Sequence, residues 1–414
     1  MNKKMTKQEK SWILYDVASS AFTMIVTATI PIYFSGLTYS AGISPEHSSS
    51  IWGITTSVAI LILALLAPIL GTIADYKNMK KKIFTFFLIL AITGSIVFTL
   101  APNWIVFLAF FIIARIGYSA CNIFYDALLI DVTPDERMDY ISTSGYAWGY
   151  IGSCIPFIVG ILLILTKPFG LDTVTATRLS FVITIIWWII LTVPLYKNVH
   201  QIYYVEKKTH IIKDAFSRLG KTFIKMKKNK PLLFFIIGYF CYIDGVYTII
   251  SMATTYGNEV GLGDTSMILA LLLTQLVAFP CSIATGKLAE KFGSLKLIKI
   301  FIVIYCFICL FGFGLNTEWE FWILATVVGM CQGGIQALSR SHFGKLIPKE
   351  ESSEYFGFFD IFGKFADFFG PLILATCAFF LNSSRYGVLA LIVLFIIGLI
   401  CVILSEKAAK TEEK

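Results

Sequence analysis

The stretch Gly71-Thr72-Ile73-Ala74-Asp75-Tyr76-Lys77 decides the fold, because it ends a long apolar run with glycine, an acid and a base. A second stretch, Gly286-Lys287-Leu288-Ala289-Glu290-Lys291, repeats the order of glycine, alanine and acid after another apolar run. Small residues let helices pack closely, and an acid accepts hydrogen bonds from the N-terminus of a neighbouring helix. We therefore predict a conformational latch in which Gly71, Gly286 and Asp75 act as gating residues.

Positive charge follows the first of these stretches. Lys77 and the run Lys80–Lys82 stand directly after the acid, at the end of an apolar segment. Basic side chains in such positions commonly meet lipid phosphates. We therefore expect these four lysines to lie at the membrane surface.

Twelve apolar runs account for most of the 414 residues. The chain is 57% hydrophobic and 14% charged, whereas soluble domains carry about 25% charged residues. A membrane-spanning helix needs about 20 apolar residues. The runs are Trp12–Leu37, Ser50–Ala74, Ile83–Leu100, Trp104–Ile130, Ile141–Leu165, Ala176–Tyr196, Leu232–Tyr256, Thr265–Leu288, Leu295–Leu315, Glu320–Leu346, Tyr355–Leu381 and Tyr386–Leu404. The sequence predicts an all-α membrane protein with twelve transmembrane helices.

The polar segment 197–231 divides the chain into residues 1–196 and 232–414, each with six apolar runs. We predict two pseudo-symmetric six-helix bundles joined by a cytoplasmic linker that contains an amphipathic helix on the inner leaflet. Lysine and arginine concentrate in alternate loops, which places both termini in the cytoplasm of a multi-pass cell-membrane protein. The net charge of +8 therefore reflects membrane orientation, and no nucleic-acid partner is expected.

Further matches between the halves support the repeat. Val132-Thr133-Pro134-Asp135-Glu136 corresponds to Leu346-Ile347-Pro348-Lys349-Glu350, and Asp16 in the first run corresponds to Asp244 in the seventh. Several matches in the same order indicate a parallel internal duplication.

Residues 71–82 resemble the inner-loop signature of the major facilitator superfamily, although Tyr76 and Asn78 depart from it. Residues 15–22, 333–341 and 356–365 resemble the autophagy-related vacuolar effluxer family and its bacterial relatives, a branch of that superfamily. The resemblance covers nearly the whole chain. It implies a twelve-helix carrier with a central cavity and alternating access, and fungal members of the family are linked to amino-acid export.

Ionisable residues within apolar runs are costly, so they usually face a cavity or a partner. Arg115 could hold a carboxylate through its planar fork, or form an ion pair with Asp16 or Asp126. Asp244 could bind an ammonium group or a coupling proton. The predicted substrate-binding set is Arg115, Asn122, Asp244, Gln336 and Tyr150.

Asp360, Lys364 and Asp367 share one helix face, since they follow one another at i, i+4 and i+7. Two acids beside one base leave an excess negative charge, which favours protonation of one carboxylate in a nonpolar cavity. We predict proton coupling through these three residues, with Asp367, which is deeper than Asp360, as the preferred proton carrier and a packing cluster as the alternative. Three further charged residues near the helix ends are predicted to gate the pathway: Asp16, Asp126 and Arg340.

These features favour a secondary active transporter that moves a small polar solute, an amino acid or related organic ion, with a proton. The alternative is a cation-coupled transporter of sugars, glycosides or lysolipids. No set of nucleophile and base, and no set of metal ligands, suggests an enzyme, and a receptor would not need the buried charges. We expect a monomer in the lipid bilayer that binds a small-molecule substrate, without a metal site or cofactor.

Overall fold

The structure is a computed structural model that describes residues 4–206, 211–381 and 383–412. Within these ranges it describes the backbone alone at residues 45, 46, 49, 64, 211–218, 264, 265, 268 and 366–368.

Fourteen α-helices make up nearly all of the described chain. They are α1 (Lys7–Ala28), α2 (Ile30–Ser40), α3 (Pro45–Ala74), α4 (Lys80–Thr99), α5 (Trp104–Val132), α6 (Asp135–Thr166), α7 (Thr173–Asn198), α8 (Ile211–Lys228), α9 (Lys230–Glu259), α10 (Asp264–Phe292), α11 (Ser294–Phe313), α12 (Glu318–Leu346), α13 (Ser352–Leu381) and α14 (Arg385–Glu412). Single turns of 3₁₀-helix lie at Pro168–Gly170 and Lys349–Glu351.

Local sequence fixes where several helices begin. In α1, the Thr6 hydroxyl accepts from the N–H of Glu9, and the Glu9 carboxylate accepts from the N–H of Thr6. Thr317 and Glu320 form the same capping box at α12. Such caps satisfy N–H groups that have no partner within the helix.

Twelve of the described helices are long and apolar enough to cross a membrane, which confirms the predicted number of spans. The first predicted run, Trp12–Leu37, is divided at Thr29 into α1 and α2. Pro31, which lacks a backbone N–H, stands in the first turn of α2 and favours this break. The helix predicted within the linker is present as α8, and its position on a leaflet stays a prediction.

The described chain forms two compact units. Unit 1 comprises the described residues of Met1–Val132, Trp148–Ile212 and Glu350–Gly357. Unit 2 comprises those of Thr133–Ala147, Lys213–Lys349 and Phe358–Lys414. Unit 1 therefore includes the first turns of α13, and unit 2 includes the first turns of α6.

Each unit has its own helix packing. In unit 1, α4 packs along α5, α1 packs along α7, and α3 contacts α5. A Cβ atom on Gly117 of α5 would lie 2.7 Å from the backbone nitrogen of Ala91 in α4, so only glycine permits this approach. In unit 2, α9 packs along α14, α10 packs along α12, and α11 contacts both α12 and α14.

Candidate functional site

The acid of the predicted latch, Asp75, caps the start of α13 inside unit 1. Its Oδ1 accepts from the backbone N–H of Ser353 at 2.8 Å, and its Oδ2 accepts from that of Glu354 at 3.0 Å. Asp75 is 1% exposed. The positive end of the helix dipole favours an anion there. The predicted hydrogen bonds to a helix N-terminus are thus present, while the gating role of Asp75 stays a prediction.

Gly71 makes this contact sterically possible. A Cβ atom at this position would overlap the backbone carbonyl oxygen of Ser353 and lie 2.8 Å from the Cα atom of Glu354. Because backbone atoms cannot rotate away, the approach of α3 to α13 requires glycine at position 71.

A buried ion pair lies beside the latch. Lys80 Nζ is 2.7 Å from Asp131 Oδ2, and both side chains are 0% exposed. Lys80 also donates to the hydroxyl of Ser352, the first residue of α13, at 2.9 Å. The expectation that Lys80 meets lipid phosphates is therefore wrong, because its ammonium group is held inside unit 1 by a carboxylate and a hydroxyl.

The chain after α7 closes over the same region. We call residues 199–205 the strap. Asp131 Oδ1 accepts from the N–H groups of Ile202 at 2.7 Å and Tyr203 at 2.9 Å. The N–H of Val205 donates to the carbonyl of Asp75 at 2.8 Å. The strap therefore fixes both the buried pair and the residue that caps α13.

Sequence reasoning missed Asp131 and the strap. Asp131 stands next to the end of an apolar run, where an acid normally reaches water. The sequence does show that Asp131 and the lysine run starting at Lys80 both lie at ends of apolar runs. Spacing alone could not show that Asp131 and Lys80 are in contact.

A polar face of α1 and α5 holds the first half of the predicted substrate site. The guanidinium of Arg115 lies over the ring of Tyr118, 5.7 Å from its centroid. The Tyr118 hydroxyl bonds to that of Thr23 and lies within electrostatic range of both Arg115 and Asp16. Asp16 accepts from the hydroxyl of Tyr125 at 3.0 Å. The structure thus brings a cation and an anion to one aromatic cluster in unit 1.

The remaining predicted residues of this half lie on α5 and α6. Asn122 follows Tyr118 by one helical turn on α5, and its side chain is half-buried. Tyr150 and Asp126 are also half-buried, on α6 and α5. Their roles in binding and gating stay predictions.

Asp244 lies inside unit 2 and is 1% exposed. Its Oδ1 accepts from the backbone N–H of Gly370 at 2.8 Å. Gly370 precedes Pro371, which interrupts the regular hydrogen bonding of α13. Asp244 therefore holds α9 to the proline-containing part of α13. Gln336, another residue of the predicted substrate site, lies on α12 and donates to the carbonyl of Gln332 in its own helix.

Asp360 and Lys364 of α13 form an ion pair, with Lys364 Nζ 2.6 Å and 2.7 Å from the two carboxylate oxygens. Both side chains are about one-fifth exposed, at 21% and 18%. The side chain of Asp367, the third member of the predicted coupling set, lies outside the described residues. Whether the set carries a proton stays a prediction.

Arg340 is held by the first turns of α6, within unit 2. Its Nε donates to the Ser142 hydroxyl at 3.0 Å, its Nη2 donates to the Ser142 carbonyl at 3.1 Å, and its guanidinium lies 4.6 Å from the ring centroid of Tyr146. Gly286 contacts the same segment, because a Cβ atom there would overlap the Thr143 hydroxyl. These contacts surround the predicted gating residues of the second half.

Asp139, which sequence reasoning did not single out, connects α6 to α12. It accepts from the Ser341 hydroxyl at 2.6 Å and pairs with Lys345 at 2.7 Å. Among the described residues, no group of three or more His, Cys, Asp or Glu side chains could hold a metal ion.

Two solved transporter structures have this arrangement of helices. The E. coli fucose:proton symporter FucP matches with a TM-score of 0.75 at 14% identity, covering 96% of this chain and 97% of that chain. The human organic anion transporter TETRAN matches with a TM-score of 0.73 at 13% identity, covering 96% and 99%. The protein thus has the major facilitator fold of twelve helices in two bundles, and it is a multi-pass membrane protein.

Sequence comparison defines the family within that fold. The profile of the family described as vacuole effluxer Atg22 like matches residues 44–136 and 131–414. The uncharacterized MFS-type transporter YxiO of Bacillus subtilis is 44% identical over 418 residues, covering all of this chain and 98% of the relative. Autophagy-related protein 22 of Yarrowia lipolytica is 26% identical, covering 66% of this chain and 51% of the relative. This chain belongs to the Atg22-like family of major facilitator transporters.

Proposed function

We propose that this transporter moves a small solute carrying an anionic and a cationic group, an amino acid or related organic ion, by proton-coupled alternating access. The observation that carries the proposal is the placement of Arg115 and Asp16 around Tyr118 in unit 1. Half-buried charges within spanning helices are costly against lipid, so a hydrated pathway accounts for them better.

Arg115 is suited to a carboxylate, because guanidinium offers two parallel N–H donors to its two oxygens. The ring of Tyr118 supports the cation from one side and leaves its N–H edge available. Asp16 offers a counter-charge for an ammonium group on the same pair of helices. The family description of a vacuole effluxer agrees with a small metabolite as cargo.

Proton coupling is proposed for the acids of unit 2. The ion pair of Asp360 and Lys364 is partly exposed, so a proton can compete with Lys364 for the carboxylate. Asp244 is a second candidate, and its bond to Gly370 would couple protonation to the geometry of α13. Arg340, Asp126, Asp75, Gly71 and Gly286 would govern opening and closing, and residues 1–196 and 232–414 would move as the two bundles.

We further propose a monomer in the cell membrane with both termini in the cytoplasm. The excess of lysine and arginine in alternate loops supports this orientation. Reporter fusions at each terminus test it, and a signal from opposite sides of the membrane would contradict it.

The decisive experiment is uptake of labelled amino acids into proteoliposomes, with and without a pH gradient. We expect flux above that of protein-free vesicles for at least one amino acid, and faster net flux with the gradient. Asp360→Asn should lose the gradient effect while it keeps exchange of solute across the membrane. Glu290→Gln, which changes an exposed acid, is the matched control and should behave as the wild type.

Failure for every amino acid, together with flux of a sugar, glycoside or lysolipid, would replace the proposal with the cation-coupled alternative. The same vesicles can be tested with those solutes. An ion-gradient effect from sodium rather than protons would likewise contradict proton coupling.

A further inference from the structure

Unit 2 contains a cavity of about 110 Å³ that the proposed transport pathway does not use. Its described lining comes from all six spans of the second half, α9 to α14. Most of the lining is aliphatic, as at Met252, Leu324, Val328 and Leu374. Tyr256 and Phe321, members of a buried hydrophobic cluster, also line it.

Two polar side-chain atoms in the lining have no hydrogen-bond partner in the protein. Gln332 is 2% exposed and its Nε2 is not hydrogen-bonded, while Thr248 is 0% exposed and its Oγ1 is not hydrogen-bonded. A buried polar atom without a partner destabilises the folded state. Such atoms in native proteins usually meet an ordered water or a ligand.

Two other polar side chains of the lining are hydrogen-bonded within the protein, and a third, Gln275, is half-buried. The Thr274 hydroxyl can donate to the carbonyl of Ala270 at 2.9 Å or to that of Ala325 at 3.2 Å. The Tyr256 hydroxyl donates to the carbonyl of Gly312 at 2.6 Å. Gln332 Nε2 and Thr248 Oγ1 therefore stand out among the described lining residues as buried polar atoms without a hydrogen bond.

We infer that this cavity is a second ligand site, which takes a compact, uncharged, mainly apolar molecule carrying a carbonyl or hydroxyl group. The Gln332 amide would donate to that oxygen, whereas the Thr248 hydroxyl packs against Gly370 of α13. No Lys, Arg, His, Asp or Glu is among the described lining residues, so an ion would be bound without compensation.

The volume limits the size of the ligand. An apolar cavity of about 150 Å³ holds benzene, so this smaller cavity takes at most about six heavy atoms. Cyclopentanone matches that size and carries one acceptor, whereas cyclopentane has the same ring without it. The two probes separate the contribution of the cavity from that of the polar atoms.

The test is a competitive titration of the two probes against purified protein in nanodiscs. Binding is measured by ligand-observed NMR. Both probes enter the bilayer, so affinities are compared between variants that share the same lipid. We expect wild-type protein to bind cyclopentanone about fivefold more tightly than cyclopentane, as one net hydrogen bond provides. Gln332→Leu should bind both equally, because it removes the donor at nearly constant volume.

Val328→Phe fills the cavity and should abolish binding of both probes. Ile323→Phe, on a 52% exposed position of the same helix, is the matched control and should bind as the wild type. Equal binding of cyclopentanone by wild type and Val328→Phe would overturn the inference. Absence of binding by wild type, as expected if ordered water fills the cavity, would also overturn it.

Discussion

Lys80 and Asp131 form an ion pair of 2.7 Å in which both side chains are fully buried. Each partner also serves another segment, because Lys80 bonds to Ser352 and Asp131 accepts from the strap. One pair of charges thus connects α4, α5, the strap and the first turn of α13 within unit 1.

Removal of one partner should therefore destabilise the protein strongly. Lys80→Met leaves the Asp131 carboxylate buried without its counter-charge, which costs about 3–5 kcal/mol. We expect thermal unfolding in detergent to shift down by about 5 °C or more. The double variant Lys80→Met/Asp131→Leu should recover much of the loss, and Lys82→Met, at an exposed position, should unfold like the wild type. A single variant as stable as the wild type would show that the pair contributes little.

Gly71→Ala should impair closure of the latch. The new Cβ atom overlaps the carbonyl of Ser353, and overpacking of this kind costs about 1–3 kcal/mol. Transport in proteoliposomes should fall about tenfold or more, since 1.4 kcal/mol corresponds to a factor of ten. Gly53→Ala in the same helix has open space around its Cβ and serves as the control. Equal effects of the two substitutions would contradict the steric argument.

Asp75 should make stability depend on pH. Burial raises the pKa of the Asp75 carboxyl to about 7, while Lys80 and the N–H groups of Glu354 and Ser353 act in the opposite direction. Because the folded state holds this proton more tightly than the unfolded state, the associated stability is present at low pH. It is lost as the pH rises from about 4 to about 7.

The melting temperature of the wild type should accordingly decline relative to that of Asp75→Asn between about pH 4 and about pH 7. The Asn variant cannot ionise, so the difference between the two curves isolates Asp75. Glu290→Gln, which changes the exposed acid of the second copy, is the control and should keep the slope of the wild type. A wild-type melting temperature that stays level or rises relative to that of Asp75→Asn as the pH increases would exclude a raised pKa for Asp75.

Arg115→Lys should weaken binding of the transported solute, although it keeps the positive charge. Lysine keeps the positive charge but loses the planar fork for a carboxylate. We expect the apparent affinity for the amino acid to fall about tenfold, with one charge-assisted hydrogen bond lost. Arg178→Lys removes the fork of an arginine held by Tyr33 and Ala101, and should leave affinity unchanged if the protein folds. Unaltered affinity in Arg115→Lys would remove Arg115 from the substrate site.

The spans were predictable because each needs only a sustained apolar run, and the resemblance to the family supplied the fold. The break at Thr29 was not foreseen, since apolar composition is continuous across it. The ion-pair and hydrogen-bond partners of charged residues were harder to predict, as Lys80 shows. A lysine in a basic run normally faces water or lipid, and only the fold brings Asp131 and Ser352 to it.

Asp75 and Glu290 show how far the internal repeat could be trusted. The glycines four residues earlier, Gly71 and Gly286, both approach a neighbouring helix closely. The acids differ, because Asp75 is buried against Ser353 and Glu354 while Glu290 is exposed. The close approach of the glycine is therefore present in both copies. Of the two acids, Asp75 caps a helix and the exposed Glu290 does not.

This inequality between the repeated turns has a consequence for how the two halves respond to the same substitution. Both copies have a glycine in close contact with a neighbouring segment, but among the described residues only Asp75 of the two acids is bonded to backbone N–H groups. Replacing the acid by its amide should therefore change the protein at position 75 and leave it unaltered at position 290.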